Sequence, residues 1–180
     1  MPLRPFEGFT PSIDPTAFVD STALIVGNVS AGPDCSFWPM VVVRGDIHQI
    51  RIGARSNIQD GTVIHVTHDG PFNPGGYGTS IGDDVTVGHK VMLHGCTIED
   101  RVLIGMGAIV MDGAVVESDV VVGAGSLVTP GKRLASGFLY VGSPVKQIRR
   151  LTDRELAYFS YSARKYVELK DRHLSSIAAS

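Results

Sequence analysis

The chain has no surplus of basic residues and no long apolar run. Its 180 residues include 16 Lys and Arg against 18 Asp and Glu, so a nucleic acid is not an expected partner. No apolar run approaches the roughly 20 residues of a membrane-spanning helix, and the first residues lack the apolar core of a signal peptide. We therefore expect a cytoplasmic protein that has no membrane partner.

Cysteine is scarce too. Cys35 and Cys96 lie in separate parts of the chain and lack the close spacing of a zinc site, which predicts two small buried side chains. Hydrophobic residues make up 43% of the chain and charged residues 19%, enough apolar surface for one continuous core. The composition therefore favours a single globular domain.

What the sequence has in quantity is a six-residue repeat. Within residues 81–98 an aliphatic residue recurs at Ile81, Val87 and Leu93. After a shortfall of one residue the spacing continues at Ile98, Ile104, Val110, Val116, Val122 and Val128. This period fits neither an α-helix nor an ordinary strand. It indicates a β-solenoid, in which each turn buries its apolar residues against the turns above and below.

The repeat also divides the rest of the solenoid. Four prolines in residues 1–20 predict an extended lead-in without regular strand pairing. Regular repeats are expected from about Ile25 to about Val128. A loop rich in Gly and Pro, residues 68–80, interrupts them, and loops of this length are often functional.

The solenoid is predicted over residues 1–150, and residues 151–180 follow it as a helical segment. Thr152-Asp153-Arg154-Glu155 is a capping box, which predicts the start of a helix of about twenty residues. Its expected apolar stripe consists of Leu156, Phe159, Ala163, Tyr166, Val167 and Leu174. We expect this helix to pack on the solenoid or on a neighbouring subunit.

Three histidines stand at informative places in the repeat. His65 follows Ile64 and His94 follows Leu93, so the two are expected to stack on adjacent turns, about 4.8 Å apart. One zinc ion with Zn–N bonds of about 2.0–2.1 Å could bridge them. His89 belongs to another face and would complete the site only from a neighbouring subunit of a trimer. The alternative is that each histidine is an ordinary polar residue of a strand.

Four motifs together form a specific combination: Arg44-Gly45-Asp46, the stretch 57–66, the stretch 86–98 and Gly142-Ser143-Pro144. The chain resembles the γ-class carbonic anhydrase-like proteins of the hexapeptide-repeat, isoleucine-patch superfamily over nearly its whole length. The resemblance implies an all-β solenoid, a left-handed parallel β-helix with a C-terminal α-helix.

The same resemblance implies a homotrimer and an activity. Each of three subunit interfaces would hold Zn²⁺, or Fe²⁺ or Co²⁺ in its place, bound by His65, His89 and His94. Three imidazoles leave one position open for water, as in catalytic zinc sites. The implied reaction is the reversible hydration of CO2 to bicarbonate, and carbonic anhydrase itself is the standard example of zinc-activated water.

Other residues gain roles from the resemblance alone. Gln59 matches the residue that hydrogen-bonds the reacting water, Asn57 an active-site amide, and Tyr166 a helix tyrosine near the metal. Arg44 and Asp46 match a pair that joins subunits and helps to hold bicarbonate. The alternatives are a surface turn for Asn57, a core position for Tyr166, and a structural salt bridge between Arg44 and Asp46.

The chain departs from the family at the positions that would carry protons away from the metal site. The loop 68–80 has no glutamate, Ile47 stands where a second acidic residue is expected, and Glu168 replaces an asparagine. His68 is then the candidate proton shuttle, and loop packing is its alternative role. Slow proton export would leave a competent metal site with weak turnover.

Two other functions stay open on the sequence. The same solenoid occurs in acyl-CoA-dependent acyltransferases, which use one histidine as general base and need no set of stacked histidines. The other is a trimeric metal-binding protein with weak or no carbonic anhydrase activity, or with thioesterase-type hydrolysis. Metal analysis distinguishes the acyltransferase from the carbonic anhydrase and from the trimeric metal-binding protein.

Overall fold

A computed structural model of the chain describes residues 2–179. Within these residues, twenty strands are followed by one helix, α1 (Asp153–Ala178). The strands are β1 (Leu3–Arg4), β2 (Ser12–Ile13), β3 (Phe18–Val19), β4 (Leu24–Ala31), β5 (Ser36–Phe37), β6 (Val42–Ile52), β7 (Asn57–Ile58), β8 (Val63–His65), β9 (Thr79–Ile81), β10 (Thr86–Val87), β11 (Met92–His94), β12 (Thr97–Ile98), β13 (Leu103–Ile104), β14 (Ile109–Val110), β15 (Val115–Val116), β16 (Val121–Val122), β17 (Leu127–Val128), β18 (Arg133–Leu134), β19 (Phe138–Val141) and β20 (Lys146–Arg150).

The strands form a left-handed parallel β-helix of about eight turns, which confirms the predicted fold. One face is the parallel series β3, β5, β7, β10, β13, β16 and β19, closed by antiparallel β20. The second face contains β8, β11, β14 and β17, and the third contains β9, β12, β15 and β18. The long strands β4 and β6 turn the corner between the second and third faces, so these two faces form one 12-stranded sheet.

The six-residue repeat is confirmed in the interior. Ile81 pairs with Ile98 across one turn, and Ile98 pairs with Val116 across the next. The inward aliphatic residues are no more than 4% exposed: Val43, Ile52, Ile58, Ile64, Ile81, Val87, Leu93, Ile98, Ile104, Val110, Val116, Val122, Val128 and Leu134. Burial of this continuous apolar column is the main force that stabilises the stack.

Both cysteines are buried, as predicted. Burial raises the pKa of the Cys35 thiol to about 11 and that of the Cys96 thiol to about 12. Both side chains are therefore uncharged and poorly reactive in the folded protein.

The predicted unpaired lead-in is wrong. Leu3–Arg4 pairs in parallel with Ile25 and Val26, and Phe18–Val19 pairs with Ser36 and Phe37. The prolines do not prevent this because each strand has two residues and lies between prolines rather than across one. Paired strands therefore begin at Leu3 and not near Ile25.

Two other predicted boundaries need correction. Residues 79 and 80 of the predicted loop belong to β9, and Thr67 forms a bridge with Tyr77 at the base of the loop. The regular turns also continue past Val128, because Tyr140 takes an inward aliphatic position and pairs with Val122. Tyr140 is only 4% exposed, so an aromatic residue ends a pattern that is otherwise aliphatic.

Helix α1 begins at the predicted capping box, in which Thr152 and Glu155 bond each other's backbone N–H groups. It has 26 residues rather than about twenty. It packs on the solenoid of its own chain, mainly against β3, β5 and β10. No helix within residues 2–179 is long and apolar enough to cross a membrane.

The predicted apolar stripe of α1 is correct in its middle and wrong at its ends. Phe159 and Ala163 are buried, whereas Leu156 and Leu174 are each 39% exposed. Polar Ser162 and Lys170 are buried instead. They meet polar partners on the solenoid, for example Asp34, whose carboxylate is 2.9 Å from the Lys170 ammonium. Such pairing permits burial of a charged group that a hydrophobicity pattern cannot anticipate.

Candidate metal centre

His65 and His94 stack on the second face, as predicted. They are direct partners in the parallel pairing of β8 with β11. Their ring centroids are 5.0 Å apart, and His65 Nδ1 lies 3.1 Å from His94 Nε2. Because both side chains follow the same buried aliphatic position, the repeat itself directs them to one spot on the surface.

A carboxylate contacts the other nitrogen of each ring. His65 Nε2 lies 3.1 Å from Asp46 Oδ1, and His94 Nδ1 lies 2.8 Å from Asp112 Oδ1. A carboxylate accepts hydrogen bonds, so this pairing assigns the N–H group of each ring to the side that faces its aspartate. The two nitrogens that face each other then both present lone pairs.

This arrangement fits a bound cation. Lone pairs that face each other at 3.1 Å repel unless a positive ion or a shared proton lies between them. Two nitrogen ligands of a tetrahedral zinc ion, each about 2.0–2.1 Å from the metal, are about 3.3 Å apart. The spacing of the pair is therefore close to what zinc requires, and the carboxylate on the far nitrogen is the usual partner of a metal-binding histidine.

The charges around the pair favour the same chemistry. Burial lowers the pKa of His65, which favours the neutral imidazole that binds metals. Burial alone would raise the pKa of Asp46, but hydrogen bonds from Arg44 and His65 outweigh it and lower that pKa. Asp46 is thus ionised and suited to accept the N–H group of His65.

His89 lies elsewhere in the chain, as predicted. It follows β10 on the first face, where Lys90 adopts a left-handed backbone conformation with φ of 57° and turns the corner. Its Nδ1 lies 2.8 Å from Asp60 Oδ2, and its side chain is 47% exposed. Within residues 2–179, no single-chain group of three His, Cys, Asp or Glu side chains is arranged to hold a metal. The three-histidine site between subunits stays a prediction.

A buried amide network lies beside His89. Gln59 Nε2 donates to Asn57 Oδ1 at 3.0 Å and to the Tyr166 hydroxyl at 2.7 Å. Asn57 Nδ2 in turn donates to Thr86 Oγ1 at 3.0 Å. Both amide hydrogens of Gln59 are thereby used within the protein, so the group that it can offer to a ligand is Oε1.

The network borders a cleft of about 390 Å³ between α1 and the first face, which Gln59, His89, Leu103 and Tyr166 help to line. Burial raises the pKa of Tyr166. Its ring also contacts Trp38 edge-on, with the centroids 5.9 Å apart, so Tyr166 is both a packing residue and a polar partner. The surface turn considered for Asn57 is wrong, because Asn57 is fully buried.

The remaining predicted residues have simpler surroundings. Arg44 forms an ion pair of 2.6 Å with Asp46 inside one chain, as expected if the two residues form a structural salt bridge. His68 is exposed at the start of the loop, close to Gly70. Glu168 is exposed and pairs with Lys165 at 2.7 Å along the helix surface. The joining role of Arg44 and Asp46 and the shuttle role of His68 stay predictions.

Sequence reasoning missed the aspartates that contact His89 and His94. Asp60 directly follows Gln59, and Asp112 stands 18 residues after His94. The strand register could have brought Asp112 close to His94, because Leu93 pairs with Val110 and Gly95 then lies beside Asp112. The repeat does not show which side chains make contact. It also missed Ser162, whose hydroxyl is 3.0 Å from Thr86 Oγ1 and connects α1 to the amide network.

Comparison with known proteins gives consistent relatives. A family model described as bacterial transferase hexapeptide (six repeats) matches residues 95–130. The chain is 58% identical to Protein YrdA of Escherichia coli, covering 96% of this chain and 94% of that protein. It is 39% identical to a carbonic anhydrase of Geobacillus kaustophilus, covering 92% and 87%. A solved hexapeptide transferase family protein from Anaplasma phagocytophilum matches with a TM-score of 0.87 at 43% identity, covering 94% and 96%.

Proposed function

We propose that this chain, which belongs to the γ-class carbonic anhydrase-like family of hexapeptide-repeat proteins, is a zinc-dependent carbonic anhydrase that reversibly hydrates CO2 to bicarbonate. The observation on which this depends most is the pair of facing imidazole nitrogens of His65 and His94, 3.1 Å apart. Fe²⁺ or Co²⁺ in place of zinc fits the same nitrogen ligands.

In this proposal His65 and His94 of one subunit bind the metal together with His89 of the next. Asp46 fixes the His65 ring through Nε2, and Asp60 contacts Nδ1 of His89, which leaves Nε2 of His89 for the metal. The single-chain arrangement supports this division, because the pair and His89 lie on different faces.

A bound zinc ion would lower the pKa of a water molecule to about 7, so that the deprotonated form of this water could attack CO2 near neutral pH. Gln59 orients that water by accepting a hydrogen bond at Oε1, since its amide nitrogen is already engaged by Asn57 and Tyr166. The apolar wall of the cleft, with Leu103, accommodates an uncharged substrate such as CO2. Arg44, 44% exposed beside Asp46, provides positive charge for the bicarbonate product.

The proposed assembly is a homotrimer, and the proposed location is the cytoplasm. Exposed apolar residues next to His94 support an interface at the second face: Met92 is 45% exposed, Ile109 39% and Met111 37%. These three line one hollow with His94 and Asp112. Covering such a patch with the cleft face of a neighbour would bury apolar surface and bring His89 toward the pair.

The test is CO2 hydration measured by stopped flow on protein of known zinc content, repeated with iron under anaerobic conditions. We expect hydration in proportion to metal content and none after chelation. Zinc bound at one ion per subunit without hydration would leave a trimeric metal-binding protein, and would turn attention to hydrolysis of a thioester.

A second candidate is acyl transfer from acyl-CoA, which the similarity to the hexapeptide transferase family protein from Anaplasma phagocytophilum favours. In that case a single histidine would act as general base and no metal would be required. Acetyl transfer by zinc-free protein, with no effect of chelators, would establish this alternative and exclude the metal-dependent one.

A further inference from the structure

We infer that Asp112 is a positioning residue for the metal centre and that it selects which nitrogen of His94 faces the metal. The inference rests on the proposed metal site and adds a residue that the sequence did not single out. Asp112 begins the corner after β14, one turn away from His94 in β11. Its carboxylate therefore reaches His94 from the neighbouring turn and not from the same strand.

The contact fixes the tautomer of the His94 ring and therefore which nitrogen has the free lone pair. Asp112 Oδ1 lies 2.8 Å from His94 Nδ1, the distance expected for a charge-assisted hydrogen bond. The contact draws the imidazole N–H to Nδ1, and the lone pair is then on Nε2, which faces His65 Nδ1 at 3.1 Å. Without a carboxylate on that side, the proton can occupy either nitrogen, and a proton on Nε2 would block a metal.

The carboxylate of Asp112 is itself held in place. Thr67 Oγ1 donates to the same oxygen, Asp112 Oδ1, at 3.1 Å. The close approach depends on Gly95, which has φ of +56°, because a Cβ at this position would overlap Asp112 Oδ1 and lie 2.7 Å from Tyr77 Cβ. Thr67 thus holds the carboxylate by a hydrogen bond, and Gly95 leaves open the space that the carboxylate occupies, which a free surface aspartate would not need.

The arrangement also distinguishes His94 from His65. The partner of His65, Asp46, is shared with Arg44, whose guanidinium lies 2.6 Å from its other oxygen. Within residues 2–179, no lysine or arginine forms an ion pair with Asp112, and its side chain forms hydrogen bonds with Thr67 and His94. Asp112 therefore offers its charge to His94 and, through the ring, to a metal on the far side.

The experiment compares the full-length parent protein with Asp112→Ala, Asp112→Asn and Gly95→Ala. Asp119→Asn is the matched control, because Asp119 is also a corner carboxylate, with 29% side-chain exposure against 31% for Asp112, and it pairs with Arg101 instead of a histidine. Zinc affinity is measured by competition with a chromogenic chelator. The tautomer of His94 is measured in metal-free protein by nitrogen NMR of the imidazole.

We expect Asp112→Ala to weaken zinc binding by about 10–100-fold, the usual cost of losing such a partner. Asp112→Asn should lose less, because its amide oxygen can still accept from Nδ1. Gly95→Ala should resemble Asp112→Ala although the carboxylate is retained, and Asp119→Asn should bind zinc like the parent. The NMR signal of His94 should change from the Nδ1–H tautomer to a mixture in Asp112→Ala.

Zinc affinity of Asp112→Ala within twofold of the parent, with His94 still the Nδ1–H tautomer, would overturn the inference. If the protein binds zinc but does not hydrate CO2, the proposed function fails and the affinity comparison still decides the role of Asp112. If no zinc binds, the tautomer in metal-free protein decides it. If Asp112→Ala does not fold, Asp112→Asn and Gly95→Ala give the same two readouts.

Discussion

The two halves of the proposed centre are built in different ways. On the second face, His65 and His94 are locked by strand pairing between adjacent turns, and each has an aspartate on its outer nitrogen. On the first face, His89 stands at an exposed corner, while the neighbouring Gln59 and Asn57 are buried in a network. In the proposed centre, one face would thus supply two of the three metal ligands, and the other would supply one ligand and the group that orients water.

This difference indicates how the fold divides the chemistry. A parallel β-helix aligns equivalent residues along a face, so it readily makes a pair of ligands but not a third from another direction. In the proposed centre the third ligand comes from a neighbour, and the residues around it can then be specialised for the substrate. Assembly and catalysis would therefore depend on the same contact.

The largest expected effect is the loss of zinc affinity when a histidine of either half is replaced. His89→Ala and His94→Ala should each weaken zinc binding by about 10²–10³-fold, since roughly 10–16 kcal/mol of zinc binding is shared among four ligands in structural sites. His89→Ala should also loosen the trimer, because the metal joins two subunits. Zinc titration and sedimentation at several protein concentrations measure both effects. A His89→Ala monomer that still binds zinc tightly would contradict the cross-subunit geometry.

Replacement of Gln59 should lower hydration without removing the metal, unlike replacement of a histidine. Gln59→Ala leaves all three proposed ligands intact, so zinc content should be unchanged while hydration falls by about 10²-fold, comparable with the loss of one preorganised hydrogen-bonding group. Stopped-flow hydration and metal analysis on the same sample test this. Tyr166→Phe is the milder companion, because it removes only the 2.7 Å hydrogen bond to Gln59. Loss of zinc from Gln59→Ala would instead assign Gln59 a structural role.

Changes that affect proton removal, namely added buffer and His68→Ala, should alter turnover only several-fold. The loop 68–80 has no glutamate, and His68 is exposed at its start, so we expect small imidazole buffers to raise turnover. His68→Ala should increase this buffer dependence if His68 is the shuttle, and should change little if His68 only packs the loop. Rates that are high in dilute buffer and independent of its concentration would exclude a proton bottleneck.

The effect that is smallest near neutral pH, because it begins only above about pH 9, is the loss of stability caused by the buried thiols. Folding raises the pKa of Cys35 from 9.0 to about 11 and that of Cys96 from 9.0 to about 12. The unfolded chain therefore loses thiol protons first, so their stabilising contribution is complete below pH 9 and is lost progressively as pH rises toward 11 to 12. Urea titrations from about pH 7 to about pH 10.5, which span the unfolded thiol pKa, measure it.

Cys35→Ala and Cys96→Ala separate the two contributions. Cys96 is two residues after His94, whereas Cys35 lies in the early turn beside β5. Removal of either thiol should flatten the loss of stability above pH 9. An equally steep loss in both variants would show that other groups cause it.

Much of this could be predicted from the sequence, for reasons that differ between residues. The repeat predicts that His65 and His94 stack, because their positions relative to a buried aliphatic residue are equivalent. It does not predict Asp112, whose role depends on one side-chain contact and on the space that Gly95 leaves. The short strands of the lead-in were missed because prolines argue against strands, although these strands fit between the prolines. The buried Lys170 was missed because a charged residue is expected at the surface, whereas here its ion pair with Asp34 permits burial.

The most direct test of the divided centre is the zinc content of mixed trimers, counted by native mass spectrometry. Subunits with His89→Ala keep the pair, and subunits with His65→Ala and His94→Ala keep His89. In a ring of three, a mixed trimer of either composition joins an intact pair to an intact His89 at only one interface, so it should bind about one zinc tightly. Neither unmixed mutant trimer has a complete site, so both should retain much less zinc. Mixed trimers without zinc, or with more than one, would contradict a centre shared between neighbouring subunits.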